Sequence, residues 1–250
     1  MSEYTSIFDA RGGHYNLANH RFPEARSEEA RRILAHMALD EGPGGPWIDV
    51  AAGGGYLAER ALAEGIERRA VACDASLPFL LEATAYRGRC IAQYPSLPFP
   101  DGAFSGSGCL AALHHAEDAS RVVSEMLRVI APGRRAAVGD VAPGSLPASF
   151  LNDFVHRHTE TGHRGRFHSP GYFLEAFAAA GGVRPRAETL DLTWSFPSAA
   201  SAVEFSRELF GLRPRTADDA IMAELRRLGL EEGAGGARLP WRMVFVSAAR

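Results

Sequence analysis

Short apolar runs alternate with amphipathic segments through residues 46–141 of this 250-residue chain. Segments such as Leu57–Glu64 and Ala119–Ile130 carry apolar residues at i, i+3 and i+4, the spacing of a helix with one buried face. Strands that alternate with helices predict βαβ units, and therefore a doubly wound α/β fold with a mostly parallel sheet. The predicted strands of this region are 47–52, 70–74, 89–93, 107–113 and 135–141.

Helical patterns flank this region on both sides. The amphipathic stretch Arg26–Asp40 ends at a glycine- and proline-rich run before the first strand, and with the residues that precede it forms an N-terminal helical arm, residues 1–45. Further helical patterns cover about 197–232, where a minimal doubly wound sheet has no element. We interpret this stretch as a helical insert, placed before the last strand, that shapes a substrate pocket.

The remaining apolar runs complete the predicted sheet. Arg186–Leu192 and Trp241–Ser247 bring the number of predicted strands to seven. The length of the chain fits a single domain over residues 1–250. Within it we expect a ligand-binding core at 46–141 and a substrate-side half at 142–250.

Composition and charge narrow the class of protein. Hydrophobic residues make up 46% of the chain and charged residues 23%, values typical of a folded globular protein. The net charge is −3, and the basic residues form no stripe. This argues against a nucleic-acid substrate, because proteins that bind nucleic acids neutralise the phosphates with basic residues. All 27 basic residues are Arg, so mechanisms that need a lysine are excluded. Richness in Arg, Ala and Gly is typical of a GC-rich bacterial genome.

Cysteine usage and hydropathy indicate the cellular compartment. Cys73, Cys90 and Cys109 lie in or beside apolar segments without a CxxC spacing, so we expect reduced thiols and neither a disulfide nor a zinc site. No apolar run approaches the roughly 20 residues of a membrane span, and the N-terminus lacks a signal-peptide pattern. The sequence thus predicts a cytoplasmic protein without a membrane or nucleic-acid partner, either a monomer or a homodimer.

A glycine-rich turn follows the first predicted strand, where Gly53, Gly54 and Gly55 lie between Asp49 and the next helix. Such a turn lets the backbone approach a ligand, and its N–H groups favour an anionic or carboxylate group; the alternative is a tight structural turn. Asp74 ends the second strand, where doubly wound nucleoside-binding folds place an acid against ribose hydroxyls. Its alternative role is a helix N-cap. The acids and the turn together predict a bound nucleoside.

Five motifs, in order over roughly 46–141, resemble those of class I methyltransferases that use S-adenosylmethionine (SAM), in particular the small-molecule, ubiquinone-methylase-like type. They are the run Asp49–Gly55, Asp74, SLPFPDGAF at 96–104, CLAALHHAED at 109–118 and EMLRVIAPGRRAAVGDV at 125–141. The resemblance implies a Rossmann-like methyltransferase fold with SAM as cofactor and S-adenosylhomocysteine as product. It implies that Asp49 and the turn hold the methionine end of SAM and that Asp74 binds the ribose. The expected cofactor residues are Asp49, Ala51, Gly53, Gly55, Asp74, Ala75, Gln93, Tyr94 and Leu110.

Two positions depart from the family pattern. Gln93 stands where the family usually has the Asp that binds the adenine amine, and its side-chain carbonyl can accept the same hydrogen bond without the charge. The chain reads SGSG at 105–108, where relatives usually carry Asp followed by β-branched residues. Glycine weakens a strand or admits a close backbone approach, so we expect the fourth strand to be either looser or pressed against a ligand.

Histidines are the candidates for acid–base chemistry. The methyl group of a sulfonium is already activated, so a general base is needed only for an acceptor that is protonated at working pH. The catalytic candidates are His114, which follows the fourth strand, and His163 and His168 in the segment 154–173, which would hang over the carboxyl edge of the sheet. Packing is the alternative for His114, and a solvated loop for the others. No acidic or cysteine cluster accompanies the loop histidines, so we predict no metal site.

The acceptor is expected to contact Tyr15 of the arm, His115 at the end of the fourth strand, and His158 and Arg166 of the same loop. Aromatic residues outside the sheet favour a small apolar or aromatic molecule. The sequence therefore predicts a transferase that moves a methyl group from SAM to O, N or C of a small metabolite, in secondary metabolism. One alternative is a methyltransferase-like protein that uses SAM for a cyclisation or isomerisation, and another is a non-catalytic partner subunit.

Overall fold

The computed structural model describes residues 3–41, 44–66, 69–92 and 95–250, and its centre is one eight-stranded sheet. The strands are β1 (Trp47–Val50), β2 (Ala70–Asp74), β3 (Gly88–Ile91), β4 (Ser107–Leu110), β5 (Arg135–Val141), β6 (Val183–Phe196), β7 (Glu231–Gly233) and β8 (Gly236–Ala249). Along the sheet the order is β3-β2-β1-β4-β5-β8-β6, and β7 pairs with β8. The first five strands pair in parallel, whereas β8 is antiparallel to both β5 and β6.

Helices cover both faces of the sheet. They are α1 (Glu3–Arg21), α2 (Ser27–Met37), α3 (Tyr56–Ala63), α4 (Leu77–Leu81), α5 (Ala119–Arg128), α6 (Leu146–Phe150), α7 (His156–His158), α8 (Pro170–Ala179), α9 (Ala199–Phe210) and α10 (Asp218–Arg227). A 3₁₀ turn lies at Leu113–His115 and a π-helical segment at Leu151–Val155. Successive residues of a strand point to opposite faces, and Trp47 and Ile48 of β1 accordingly belong to two separate buried apolar clusters.

The doubly wound α/β fold predicted from the sequence is confirmed. All seven predicted strands are present, and α9 and α10 occupy the predicted insert before β8. The structure adds the short strand β7 and extends β6 and β8 to 14 residues each, so these two form a long antiparallel ribbon at one edge. In the described part of the chain, no helix is both long and apolar enough to cross a membrane.

The glycines of 105–108 serve a close approach of the protein's own chain. A Cβ atom added to Gly106 would lie 2.6 Å from the side chain of Leu39, and one added to Gly108 would lie 2.8 Å from Met37 Sδ. Met37 ends α2 and Leu39 follows it. The missing side chains therefore let the C-terminal end of α2 pack directly on β4.

Replacing Gly108 with valine is expected to lower the free energy of unfolding by about 1–3 kcal/mol, the usual cost of overpacking a core. The added methyl groups must displace Met37 beneath a strand that pairs on both sides with β1 and β5. Urea unfolding measures the change. Gly233→Val is the matched control, because nothing lies within 4 Å of the added Cβ there. Equal unfolding midpoints for the two variants would contradict this account.

The arm both packs on the domain and covers the sheet edge where the strands end. Helix α1 contacts α9 and α4. The carboxylate of Asp9 accepts a 2.6 Å hydrogen bond from the Ser76 hydroxyl, which follows β2. The side chain of Asn16 lies so close to Gly54 that a Cβ atom there would collide with it. The arm thus borders the glycine turn that the sequence singles out.

Candidate active site

The glycine turn is tied to the end of β2 by the Asp74 carboxylate. Gly53 donates its N–H to Asp74 Oδ2 at 2.9 Å, and Ser76 donates its N–H to Oδ1 at 2.9 Å. Gly53 and Gly55 adopt left-handed conformations with φ of 54° and 112°, which glycine reaches without steric cost. Ser76, and not Asp74, caps α4. Asp74 therefore fixes the shape of the turn in the ligand-free structure.

Asp49 is a buried carboxylate beside this turn. It accepts a hydrogen bond from the hydroxyl of Tyr86, and only 2% of its surface is exposed. Burial raises the pKa of Asp49 from 3.8 to about 7; the Tyr86 hydrogen bond opposes this rise, and repulsion from Asp74 adds to it. A carboxylate in this setting favours a cationic ligand, because a cation offsets the cost of burying its charge.

An open cleft lies over the turn, with about 470 Å³ of empty space that includes part of the open solvent. We call it the glycine-turn cleft; its lining includes Tyr15, Asp49, Ala51, Gly53, Phe79, Leu110 and Ala111. Ala51 and Ala111 follow β1 and β4 and have φ of 61° and 54°. Left-handed backbone at residues other than glycine is strained and clusters at functional sites. The strain here lies where the strand ends meet the cleft.

A second cleft of about 460 Å³ adjoins the first, since both are lined by Tyr15 and Ala111. We call it the histidine cleft; its lining also includes Arg26, His114, His115, Leu151, His163, Trp194 and Trp241. The Trp194 and Trp241 rings stack with centroids 4.0 Å apart, and Phe210 stacks beside them. One part of this cleft is thus aromatic and another carries imidazoles.

His114 is oriented by a buried carboxylate at the end of β5. Its Nδ1 lies 2.7 Å from Asp140 Oδ1, and its backbone N–H donates to Asp140 Oδ2 at 2.9 Å. Asp140 also accepts the N–H of Val141 and is 1% exposed. An ionised carboxylate only accepts hydrogen bonds, so Nδ1 of His114 carries the hydrogen and Nε2 is the basic nitrogen.

His163 reaches the same cleft from the segment that follows α7. Its Nδ1 lies 3.0 Å from Asn152 Oδ1, an oxygen that also accepts the N–H of Gly165. The ring of His163 lies 5.4 Å from that of His114 and 4.9 Å from that of His115, between centroids. The structure therefore brings His163 to the adjacent pair His114 and His115, from which it is 48 residues away in the sequence.

Arg26 contributes a buried cation to the histidine cleft, but this charge is paired. Its guanidinium contacts Glu29 at 2.7 Å and donates to the Tyr15 hydroxyl at 2.6 Å. It also lies over the rings of Tyr56 and Trp194. The ion pair and the rings lock Tyr15 at the junction of the two clefts.

The structure separates several other predicted residues from the clefts. His168 stacks on Tyr172, and His158 stacks on Phe154 and contacts the Thr216 hydroxyl. Arg166 is exposed, and its backbone N–H donates to the carbonyl oxygen of His114 at 2.8 Å. Ala75 and Gly55 are buried but line neither cleft. Gln93 and Tyr94 lie outside the described residues.

Several residues that contact the site side chains or the glycine turn are not predicted from the sequence. They are Tyr86 against Asp49, Asp140 against His114, Asn152 against His163, and Phe79 over the turn. Asp140 alone carried a signal, since it lies near the end of a predicted strand within a family-like motif. The others depend on contacts between segments far apart in the chain.

Comparison with known proteins agrees with this class of fold. Residues 48–138 match the family model described as a methyltransferase domain. The resemblance to class I small-molecule methyltransferases is therefore confirmed, and the sheet has the Rossmann-like methyltransferase architecture.

Two curated methyltransferases match part of this chain. A demethylmenaquinone methyltransferase from Paenarthrobacter aurescens is 28% identical over 148 residues, 58% of this chain and 57% of that protein. A ubiquinone/menaquinone biosynthesis C-methyltransferase from Desulfotalea psychrophila is 30% identical over 142 residues, 55% of this chain and 57% of that protein. The matches thus span little more than half the length of these curated relatives.

Among solved structures, the YcgJ protein from Bacillus subtilis is similar, with a TM-score of 0.63. The match covers 89% of this chain and 98% of that one at 16% identity. This likeness concerns the fold alone.

Proposed function

We propose that this protein is a SAM-dependent methyltransferase that methylates a small aromatic acceptor bound in the histidine cleft. The observation that carries the proposal is the contact between the two clefts, which share Tyr15 and Ala111. Methyl transfer is an in-line displacement, so donor and acceptor must meet with their reacting atoms in contact. A glycine-turn cleft that opens onto an aromatic and histidine-lined cleft supports this arrangement.

The glycine-turn cleft fits SAM by charge. Bound SAM supplies a methyl group on a sulfonium, which a nucleophile attacks without further activation. The buried Asp49 carboxylate suits the ammonium group of its methionine end. Asp74 holds the turn in shape through Gly53 and would turn to the ribose hydroxyls on binding. Phe79 and Tyr15, in edge-to-face contact, help to exclude water from the cleft.

The histidine cleft fits an acceptor that must lose a proton. Stacked Trp194 and Trp241 favour a flat apolar ring, because aromatic rings gain from offset and edge contacts beyond simple burial. His114, held by Asp140, offers Nε2 as a base for a hydroxyl of that ring. A neutral amine needs no such base, so we favour transfer to oxygen or to a carbon made nucleophilic by the ionised hydroxyl. On composition alone, we further propose a cytoplasmic enzyme of bacterial secondary metabolism.

Calorimetric titration with SAM and with S-adenosylhomocysteine tests the proposal first. We expect micromolar binding of both, followed by turnover of a phenol or quinol panel in which the product gains one methyl group by mass. Binding without any gain in product mass, but with an isomeric product, would favour a SAM-dependent cyclisation or isomerisation. Binding of neither ligand would favour the non-catalytic partner subunit.

Replacing Trp241 with phenylalanine is expected to raise the KM for a large aromatic acceptor by about tenfold, the scale of one aromatic stacking contact. The dissociation constant for SAM should stay unchanged, because Trp241 lines only the histidine cleft. Steady-state kinetics with a bicyclic acceptor measures the effect. Trp47→Phe is the matched control, since Trp47 is fully buried but lines neither cleft. The same KM in both variants would show that the acceptor does not contact Trp241.

A further inference from the structure

Three histidines from two distant segments of the chain meet in the histidine cleft. His114 and His115 form the turn after β4, and His163 lies in the segment after α7. One ring nitrogen from each lies within 4.8 Å of the others. Among the described residues, no other group of three His, Cys, Asp or Glu side chains meets so closely. Three imidazoles at this spacing are a ligand set for a transition metal.

The partners behind these rings point to the same use. A metal-binding histidine usually donates its second ring N–H to a carboxylate or carbonyl oxygen, which fixes the tautomer. His114 has Asp140 in this position at 2.7 Å, and His163 has Asn152 at 3.0 Å. The Asn152 amide is itself oriented, because it accepts the N–H and donates to the carbonyl of Gly165. In both rings Nδ1 is the nitrogen beside this partner, and we assign Nε2 of each as the ligand atom.

A modest closure of the cluster would complete the geometry. Tetrahedral zinc with bonds of about 2.0–2.1 Å needs its nitrogens about 3.4 Å apart, so the rings must approach by roughly an ångström. His163 lies in a stretch without helix or strand, which can shift more easily than the sheet. Gly165 packs there between both rings, where a side chain would collide with His114 and His163.

We propose that His114, His115 and His163 bind a zinc ion whose fourth position faces the histidine cleft. Catalytic zinc sites have three protein ligands and one open position, and imidazole without thiolate suits this class. Asp140, buried behind His114, supplies a compensating negative charge. Arg26, the cation of the cleft, is already neutralised by Glu29. The loop histidines alone do not predict a metal site, because two of the three ligands come from the turn after β4.

The role of the ion in catalysis, unlike its binding, rests on the proposed function. A bound ion would hold the acceptor hydroxyl and favour loss of its proton to water, in place of direct transfer to His114. The oxygen, or the ring carbon conjugated with it, would then attack the methyl carbon of SAM. The new bond to carbon forms as the carbon–sulfur bond breaks, and that electron pair stays on sulfur in S-adenosylhomocysteine. After attack by carbon, the hydrogen on that carbon would leave as a proton to water and so restore the aromatic ring.

Titration of the chelator-stripped full chain with Zn²⁺ by calorimetry, and with Co²⁺ by visible absorption, tests the site. We expect one ion per chain with micromolar or tighter affinity. His163→Ala and His115→Ala should each weaken zinc binding at least 100-fold, and Asp140→Asn 10- to 100-fold. His168→Ala, from the same loop, should bind as the wild type does. Absence of binding, or full affinity in His163→Ala, would overturn the proposal.

SAM titration of the same stripped protein separates this inference from the proposed function. Zinc binding without SAM binding would contradict the methyltransferase proposal but would still support the metal site. For the catalytic role, we expect stripping to lower turnover at least tenfold and added Zn²⁺ to restore it, with the SAM dissociation constant unchanged. Full turnover in metal-free protein would overturn that role, and His114 would then be assigned as the group that accepts the proton.

Discussion

Replacing Asp49 with asparagine is expected to stabilise the ligand-free protein at pH 8 while weakening SAM binding about 100-fold. The carboxylate is buried, and its pKa is raised from 3.8 to about 7, chiefly by that burial. In the folded protein the protonated form is therefore favoured, and ionisation at pH 8 is costly. Asparagine keeps an acceptor for the Tyr86 hydroxyl without the charge.

The sign of the pH dependence follows from the raised pKa. The stabilising contribution of protonated Asp49 is complete below about pH 4 and is lost as the pH rises through about 7. The interval from 3.8 to about 7 corresponds to a loss on the order of 4 kcal/mol. The difference in unfolding free energy between wild type and Asp49→Asn, measured from pH 4 to 8, isolates this contribution from those of other groups.

Function and stability should move in opposite directions in this variant. Loss of a buried charged hydrogen bond to the ammonium group costs about 3 kcal/mol, which gives the expected 100-fold weakening. Asp101→Asn is the control. This carboxyl is exposed, and its hydrogen bond with the Arg128 guanidinium lowers its pKa, so its ionisation favours folding where that of Asp49 opposes it. Removal of the Asp101 charge should leave SAM binding unchanged. Wild-type SAM affinity in Asp49→Asn would remove Asp49 from the cofactor site.

Replacing His114 with alanine is expected to lower kcat by about 10²–10⁴-fold, the usual contribution of a positioned proton acceptor. Loss of a zinc ligand would act in the same direction. The dissociation constant for SAM should change less than twofold, because His114 lines only the histidine cleft. Because the buried Asp140 carboxylate loses one of its hydrogen-bond donors in this variant, thermal unfolding is measured as a control that the variant folds.

The acidity of the acceptor gives a test that a merely structural role would fail. A phenol that is already ionised at the working pH needs no proton removal, so the kcat deficit of His114→Ala should shrink as acceptor pKa falls. His20→Ala is the control, because His20 is exposed on α1 and lines neither cleft. A deficit of the same size for every acceptor would contradict a role in deprotonation.

Much of the fold follows from local pattern. The alternation of apolar runs with helical segments predicts the parallel core, because strand and helix leave different periodicities in the chain. Strands β6 and β8 are longer than the sequence predicts. The first residues of β6 are exposed and carry no apolar pattern, and both strands are extended by their pairing with each other. The SGSG stretch left two alternatives open, a looser strand or one pressed against a ligand. In the structure the neighbour is the protein's own α2 end, which reaches β4 across the fold.

The site divides in the same way. The glycine turn and the acids Asp49 and Asp74 could be found from sequence, because short-range spacing between a strand end and a helix start defines a nucleoside site. The raised pKa of Asp49 could not, since it arises from burial.

The sequence by itself determined the class of fold, the glycine turn and the general place of the histidines, because each depends on residues close together in the chain. Tertiary structure alone decided that His114, His115 and His163 meet while His158 and His168 lie apart. It also decided that Asp140 and Asn152 orient two of these rings, and that Trp194 and Trp241 line the same cleft. These contacts join segments many residues apart, and only the packing of the sheet, the loop and the insert sets such distances.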